Sequence, residues 1–293
     1  MRKRVPVSMV RIFRFSAVRP APAHAQGIAA VPYDVVSAEE ARECIRKNSE
    51  SFLRVSRSDV LLPGSPPHDP PVYDLARENF QGMVRDGQMV QDDSPALYLY
   101  RVTDGDAGYL GLACCLDVDD YLSNHIRRHE ATRYDKEEDR TRHIDTVNAH
   151  TGPVVLLYND PGDIYPYIES LVTNGQTPVT TVRGEQGAVH EIFRITDDAA
   201  YNHLKGMFQG LDAYIADGHH RAKSAVNVAE KRKANGDDSY EAGHFMGVLF
   251  SHRKVTIRGY SRLVTPQKKV PPETLLGKIS QTCLLYTSDA ADE

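Results

Sequence analysis

Short apolar stretches alternate along this chain with charged stretches of helical character, and this order restricts the fold more than any other feature of the sequence. The apolar stretches have the length of strands and lie at 96–102, 109–116, 153–158, 179–182, 188–195, 213–216, 245–250 and 255–260. Stretches typical of helices begin near residue 38, at 72–85, at 164–173, near 197 and at 219–234. Such an intermingled order predicts an α/β (mixed α+β) fold around a mixed sheet.

The chain has 293 residues, enough for one large domain or two modest ones. We divide it into an N-terminal α/β portion, 1–125, and a second portion, 126–282, which carries two charged motifs. The last eleven residues, 283–293, are similar to the translation of a transposase adapter; they are interpreted as an artefact, and the natural protein is expected to continue beyond Thr282. Without their three acidic side chains the formal charge changes from −5 to −2. Such a near-neutral chain is not expected to bind nucleic acid.

Cysteine usage and hydropathy predict a soluble cytoplasmic protein. Cys44, Cys114 and Cys115 form neither an even disulfide framework nor a zinc-type spacing, so they are interpreted as buried thiols in a reducing compartment. No stretch approaches the roughly 20 apolar residues that a transmembrane helix needs. Arg11 and Arg14 interrupt the apolar part of what would otherwise resemble a secretion signal. Membrane partners are therefore not expected.

The sharpest local feature is the segment 214–221, YIADGHHR, in which a strand ends at a glycine turn and a helix begins. The first N–H groups of a helix have no intrahelical acceptor, and the helix dipole favours an anion there. Gly218 lets the backbone approach a ligand closely. The side chains beside the turn could add donors or positive charge to a phosphate: Asp217, His219, His220 and Arg221. In the alternative interpretation, Asp217 is a helix cap and the histidines are ordinary surface or core residues.

The charged run 129–143 is the second candidate. If it is helical, steps of three and four residues place three cations on one face, Arg133, Lys136 and Arg140. Such a face suits the phosphates of a nucleotide, while His129 and Glu130 could supply a proton acceptor or a carboxylate beside Mg²⁺. The alternative is a solvated helix held by salt bridges between successive turns. No HExxH spacing occurs, because the residue four after His129 is Arg133, so no structural metal is predicted.

Two smaller features could contribute to a substrate site. Asn148, Thr151 and Gly152 precede a buried strand and offer amide, hydroxyl and backbone groups, although an ordinary polar turn fits equally well. Asp34, after Pro32 and Tyr33, could hold an amino group, act as a base, or organise a turn.

The chain resembles a bacterial and archaeal family known as domain of unknown function 1015, whose members carry a near-identical IADGHHR segment. Further family-like stretches follow the family's order between about residues 8 and 265. They are VPYDVV at 31–36, SFL at 51–53, ALY at 96–98, HE at 129–130 with TR at 132–133, DR at 139–140 and NAHTGP at 148–153. One departure is the segment 259–262, GYSR, in which an Asn usually precedes the Arg.

The Gly-His-His-Arg turn also resembles the phosphate-binding signature of the ParB and sulfiredoxin superfamily, which includes a free serine kinase. This resemblance implies a phosphotransferase that uses ATP or ADP with Mg²⁺ and acts on free serine or phosphoserine, in either direction. The alternative is a non-catalytic, nucleotide-binding regulatory protein of the ParB type. A DNA nuclease is disfavoured by the near-neutral charge and by the absence of a helix-turn-helix pattern. Neither a Walker motif nor the protein-kinase motif set occurs.

Overall fold

The computed structural model describes residues 9–173, 175–184, 187–237, 239–257 and 270–282. The segments 259–262 and 283–293 lie outside this part, as does half of the strand predicted at 255–260; residues 255–257 of it are not in a strand. The chain divides into two compact units, 1–255 and 256–293.

The strands of the described residues are β1 (Ile12–Phe13), β2 (Val18–Pro20), β3 (Met89–Gln91), β4 (Leu97–Asp104), β5 (Ala107–Asp117), β6 (Ile126–Arg127), β7 (Val154–Tyr158), β8 (Thr180–Arg183), β9 (Val189–Ile195), β10 (Ala213–Asp217) and β11 (His244–Ser251). The α-helices are α1 (Ala25–Ile28), α2 (Ala38–Lys47), α3 (Leu53–Ser56), α4 (Pro70–Arg85), α5 (Val118–Leu122), α6 (Tyr134–Val147), α7 (Ile164–Thr173), α8 (Asp198–Met207), α9 (His219–Ala234) and, in the second unit, α10 (Pro272–Thr282). None of these helices is both long and apolar enough to cross a bilayer.

One mixed sheet organises the first unit. Its strand order is β6-β10-β7-β11-β5-β4-β9-β8, with β1 added beside β5. Most pairs are antiparallel, whereas β7 runs parallel to β11 and β6 parallel to β10. The predicted mixed α/β fold is confirmed. Strands from both sides of residue 125 share this sheet, since β5 pairs with β11.

The sheet is buried because its central strands are apolar on both faces. Leu112, Leu156 and Leu249 are fully buried on three adjacent strands. Gly247 permits close packing there, since a Cβ at this position would lie 2.7 Å from the side chains of Leu116 and Leu156. Strands with near-continuous apolar sequence, covered on both faces, are typical of sheets that helices pack against.

Helices α6 and α9 pack against each other, and α9 also contacts β7 and β11. At the middle of this contact the Ser224 hydroxyl donates to the carbonyl of Glu137 at 2.9 Å. Small and branched apolar residues of α9, among them Ala222, Val226 and Ala229, join the core. The pair thereby places the start of α9, the loop before α6 and the loop between α6 and β7 close together.

Candidate functional site

The segment 214–221 has the local structure that its sequence predicts. Strand β10 ends at Asp217, Gly218 adopts φ 96°, and α9 begins at His219. This positive φ favours glycine, because a Cβ would crowd the neighbouring backbone. The first N–H groups of α9 have no acceptor within their own helix, and the positive end of the helix dipole lies there. The turn therefore has the backbone chemistry of an anion site.

The two histidines of this turn hold a second loop in place. His219 Nε2 accepts the N–H of His129 at 3.4 Å, and His220 Nε2 accepts the N–H of Arg133 at 3.1 Å. Because a backbone N–H can only donate, both Nε2 atoms carry a lone pair, which leaves the proton of each neutral ring on Nδ1. The loop 128–133, between β6 and α6, is thus docked on the first turn of α9.

This docking places Glu130 at the helix start. His219 Nδ1 lies 3.5 Å from Glu130 Oε2, and the ring of His129 meets the ring of His219 edge-on with centroids 4.5 Å apart. Burial and the nearby His129 lower the pKa of His219, while Glu130 and Asp217 act in the opposite direction. The His219 side chain is 4% exposed and the Glu130 carboxylate 60% exposed, so the carboxylate is accessible beside the anion-type turn.

Arg221 joins the turn to the loop that precedes β7. Its guanidinium donates to the carbonyl of Pro153 and to the carboxylate of Asp217. A Cβ added at Gly152 would lie 3.5 Å from this side chain, and one added at Gly218 would lie 3.1 Å from its Nε. The contact at Gly152 is of ordinary van der Waals length, whereas that at Gly218 is tight, so Gly218 makes room for Arg221. Arg221 thereby links two segments that the sequence analysis singled out separately.

A small cavity of roughly 20 Å³ lies next to this link, about enough for one water-sized group. Tyr33 lies against the Arg140 guanidinium, which is 4.5 Å from the centroid of its ring. Burial raises the pKa of Tyr33, while the charges of Arg140 and Arg221 oppose this rise. The cavity is lined by Tyr33, Arg140, His143, Ile144, His150, Thr151, Gly152, Val154, Arg221, Phe245 and Met246.

Two neutral histidines belong to this cavity. His143 Nε2 donates to the carbonyl of Val55 at 3.0 Å, and His150 Nε2 donates to the carbonyl of His244 at 3.0 Å. Burial is the main cause that lowers the pKa of both to about 4. They therefore contribute no positive charge at neutral pH.

The structure separates the three cations expected on one face of a helix. Helix α6 begins only at Tyr134, so Arg133 is its N-cap and pairs with Asp135 at 2.7 Å. Lys136 is exposed. Arg140 is nearly buried and bonds to Asp139 at 2.6 Å. The condition that the run 129–143 is helical holds only from Tyr134 onward, and hydrogen bonds to α9 hold the loop 128–133 in place.

The smaller candidates lie around the same region. Asn148 ends α6 in the left-handed conformation at φ 57° and is exposed. Thr151 and Gly152 line the cavity. Asp34 is exposed in the turn that carries Tyr33, and its charge acts on the pKa of Tyr33.

Sequence reasoning missed the residues that orient Arg140. The Asp139 carboxylate accepts from the Tyr73 hydroxyl and from His68 Nδ1, both at 2.9 Å, as well as from Arg140. The charge of Arg140 and these hydrogen bonds hold the pKa of Asp139 below its usual range, although burial opposes them. The adjacent Asp139 and Arg140 were visible as a family-like pair, but their partners come from a distant segment.

No group of three metal-ligating side chains occurs in the described part of the chain. Mg²⁺ bound with a nucleotide needs only one or two carboxylates, because phosphates and water complete its shell. Glu130 and Asp217, two exposed carboxylates beside the start of α9, fit this requirement.

A family model described as Protein of unknown function (DUF1015) matches residues 12–291. Neither a curated protein nor a solved structure matches the chain.

Proposed function

Because the chain belongs to the DUF1015 family of proteins of unknown function, we propose its activity from the site itself: a cytoplasmic, nucleotide-dependent phosphotransferase that acts on a small hydroxyl amino acid. One observation carries the proposal. His219 and His220 dock the loop of Glu130 onto the first turn of α9. A carboxylate therefore lies beside backbone donors suited to phosphate, which is the combination that phosphoryl transfer requires.

The nucleotide's phosphates would contact the N–H groups of the α9 turn. Gly218 provides the close approach, and the Nδ1–H of His220 and the remaining donors of Arg221 add hydrogen bonds. Arg133 and Lys136 lie at the exposed start of α6. The hydrogen bond from the Arg133 N–H to His220 holds this start beside the turn.

Glu130 has two possible tasks at this turn. Its carboxylate can orient or deprotonate the attacking hydroxyl, or join Asp217 in holding Mg²⁺. Mg²⁺, when bound, would neutralise charge on the phosphates. His129 supports this arrangement, because its N–H fixes His219, which in turn lies against Glu130.

The choice of serine or phosphoserine rests on the resemblance of the Gly-His-His-Arg turn to that of the free serine kinase. The direction of transfer is set by the nucleotide and amino acid supplied, since a site that binds the transition state accelerates both directions. ATP and ADP therefore both enter the proposal as nucleotide partners.

The test is incubation of the full-length protein with ATP or ADP, Mg²⁺, and serine or phosphoserine, followed by measurement of the transferred phosphate. We expect transfer with at least one of these pairs, and its loss in Glu130→Gln. Glu138→Gln is the matched control, because Glu138, a partly exposed carboxylate of α6, pairs with Arg142 and with no other cation in the described part of the chain. Transfer that is unchanged in Glu130→Gln contradicts the assigned role of this carboxylate.

The second candidate is a non-catalytic, nucleotide-binding regulatory protein. It is favoured by the hydrogen bond from the N–H of Arg133 to His220 Nε2, because a phosphate bound at the turn could accept this N–H in place of the histidine and release the loop 128–133. Tight nucleotide binding without any phosphate transfer, together with a nucleotide-dependent change in proteolysis of this loop, would support the regulatory protein.

A further inference from the structure

The small cavity lined in part by Tyr33, called the cavity under Tyr33 below, has charged side chains in its wall. Two guanidinium groups, those of Arg140 and Arg221, line it. Among the described residues that line it, none carries a carboxylate. His143 and His150 are neutral there, because burial lowers the pKa of each to about 4. Each guanidinium also binds a carboxylate outside the lining, Arg140 that of Asp139 and Arg221 that of Asp217. An anion in the cavity would therefore bind the donors that these carboxylates leave unused.

Arg140 is held in one orientation. Its Nε and Nη2 both donate to Asp139, at 2.8 and 2.6 Å, and its face lies over the ring of Tyr33. Asp139 is itself fixed by Tyr73 and His68. In the described part of the chain Nη1 has no acceptor, so one edge of the guanidinium remains available to a ligand in the cavity. A pre-oriented guanidinium loses little freedom when it binds a carboxylate.

The size of the cavity limits what can enter. Roughly 20 Å³ is about enough for one water-sized group, so the cavity admits one oxygen of a carboxylate and excludes the phosphate chain of a nucleotide. Phe245 and Met246 form part of the wall, so the group would be shielded from water. Charge-assisted hydrogen bonds are stronger in such surroundings than at the surface.

Arg221 connects this cavity to the turn at the start of α9, because it lines the cavity and belongs to the first turn of that helix. An acceptor whose carboxylate enters the cavity would therefore extend its other end toward Gly218 and Glu130. We propose that the cavity under Tyr33 is the carboxylate subsite for the amino acid, with Arg140 as the residue that selects it, while Arg221 lies between this subsite and the phosphate turn. This inference rests on the proposed function for the identity of the reaction. It assigns Arg140 to binding of the amino acid, whereas the sequence analysis assigned it to the phosphates of the nucleotide.

The neighbouring Asp34 completes the recognition of an amino acid. It is exposed in the same turn as Tyr33, and Arg57 holds this turn through the carbonyls of Tyr33 and Val36, at 3.2 and 2.8 Å. A carboxylate at this place suits the ammonium group, which lies one carbon from the carboxylate of an α-amino acid. The subsite therefore fits an α-amino acid better than a simple alcohol.

The first test uses the unaltered protein, so its result does not depend on whether a variant folds. Transfer is compared between serine and ethanolamine, which keeps the hydroxyl and the amino group but lacks the carboxylate. We expect the KM for ethanolamine to be about 10- to 100-fold higher, with the nucleotide KM unchanged, because hydrogen bonds to a charged group are lost. Equal KM values for the two acceptors overturn the subsite while leaving the phosphotransferase in place.

The second test is direct binding of serine, measured by calorimetry without nucleotide on Arg140→Met, Arg140→Lys and Arg142→Met. Arg142 is the matched control, an arginine two residues away on α6 that forms an ion pair with Glu138 at 2.7 Å. We expect Arg140→Met to weaken serine binding by about 10- to 100-fold and Arg140→Lys by less, with Arg142→Met and the nucleotide affinity of all three unchanged. Melting temperatures identify any variant that fails to fold.

The outcomes of the two tests separate this inference from the proposed function. If serine binds through Arg140 but no phosphate is transferred, the subsite stands and the phosphotransferase is wrong. If phosphate is transferred to serine and Arg140→Met changes only the nucleotide affinity, the subsite is wrong and Arg140 is assigned to nucleotide binding. If the unaltered protein binds no serine, the subsite is also overturned.

Discussion

The two ends of helix α9 use their polar side chains in different ways. At its C-terminal end, Lys231 and Arg232 bind the Asp145 carboxylate of α6 at 2.7 and 3.1 Å. At its N-terminal end, His219 and His220 instead accept backbone N–H groups of the loop 128–133.

This difference distinguishes side chains that join two helices from side chains that position a loop at a binding site. A partly exposed ion pair between side chains joins two helices and typically contributes about 0 to 1 kcal/mol. Side chains that bind the backbone of a loop hold that loop in one position and leave other groups of the loop accessible. Glu130 is such a group, and the free N–H groups of the α9 turn lie beside it. We therefore expect changes at the N-terminal end to alter nucleotide binding, and changes at the C-terminal end to alter stability alone.

The largest effect is expected for Gly218→Ala, with Gly236→Ala as its counterpart at the other end of the helix. Both glycines have a positive φ, 96° and 83°, so each substitution should cost about 1–2 kcal/mol of stability. An added Cβ at Gly236 has no neighbour within 4 Å, whereas one at Gly218 meets Arg221 Nε at 3.1 Å. Urea unfolding should give similar losses, and nucleotide titration should show a loss of tenfold or more for Gly218→Ala alone. Equal nucleotide affinities would remove the distinction between the two ends.

Arg221→Ala and His220→Ala should each weaken nucleotide binding by about 10- to 100-fold, because a hydrogen bond to a charged phosphate is lost. Arg232→Ala, at the other end of α9, is the control and should bind the nucleotide normally. Arg221→Ala should also lower the melting temperature, since Arg221 binds the carbonyl of Pro153. Normal titration curves for both N-terminal variants, on the same preparations, would refute the phosphate site.

The pH dependence of stability concerns the cavity beside the N-terminal end. His143 and His150 have a pKa of about 4 in the folded chain, below the ordinary value of 6.5. The unfolded chain therefore binds more protons between these values, and stability falls as the pH drops from 6.5 toward 4. Each histidine contributes a slope of about 1.4 kcal/mol per pH unit within this window.

His143→Gln should reduce the slope of the unfolding free energy against pH by the contribution of one histidine. Urea unfolding at several pH values measures this slope. His203→Gln, which removes an exposed histidine of α8, is the control for the loss of a histidine. An unchanged slope in His143→Gln would mean that this histidine does not resist protonation in the folded chain.

The smallest effect is expected for Asp145→Asn. It removes the charge that binds Lys231 and Arg232, in a pair that is partly exposed, so the loss of stability should be about 1 kcal/mol or less. High salt should reduce the difference from the unaltered chain, because exposed charges are screened. A change in nucleotide affinity in this variant would show that the two ends of α9 are coupled.

The sequence predicted much of the fold from local signals. The bounds 219–234 for the charged helix agree with α9, and the helix predicted to begin near residue 38 is α2, which begins at Ala38. The predicted strand at 213–216 agrees with β10, which extends one residue further, to Asp217. Alternating or continuous apolar residues and a glycine at a turn act over a few neighbouring positions, so they can be recognised without the rest of the chain.

The beginning of α6 shows where local reasoning fails. Residues 129–133 have the same charged character as the helix that follows, and nothing in their sequence marks the helix start at Tyr134. The difference comes from His219 and His220, which lie 90 and 87 positions from the backbone groups they bind. Contacts over such separations depend on how the sheet brings the segments together.

The sequence by itself therefore determined the mixed α/β architecture and the strand, glycine turn and helix of 213–234, because neighbouring residues decide backbone conformation there. Only the tertiary structure decided that the two histidines bind a loop and that Glu130 lies at the helix start. It also decided that Arg140 packs against the ring of Tyr33 instead of sharing a cationic face with Arg133 and Lys136. The physical reason is that a side chain's partner depends on which groups packing brings within hydrogen-bonding distance, and the two arginines of the cavity come from different helices.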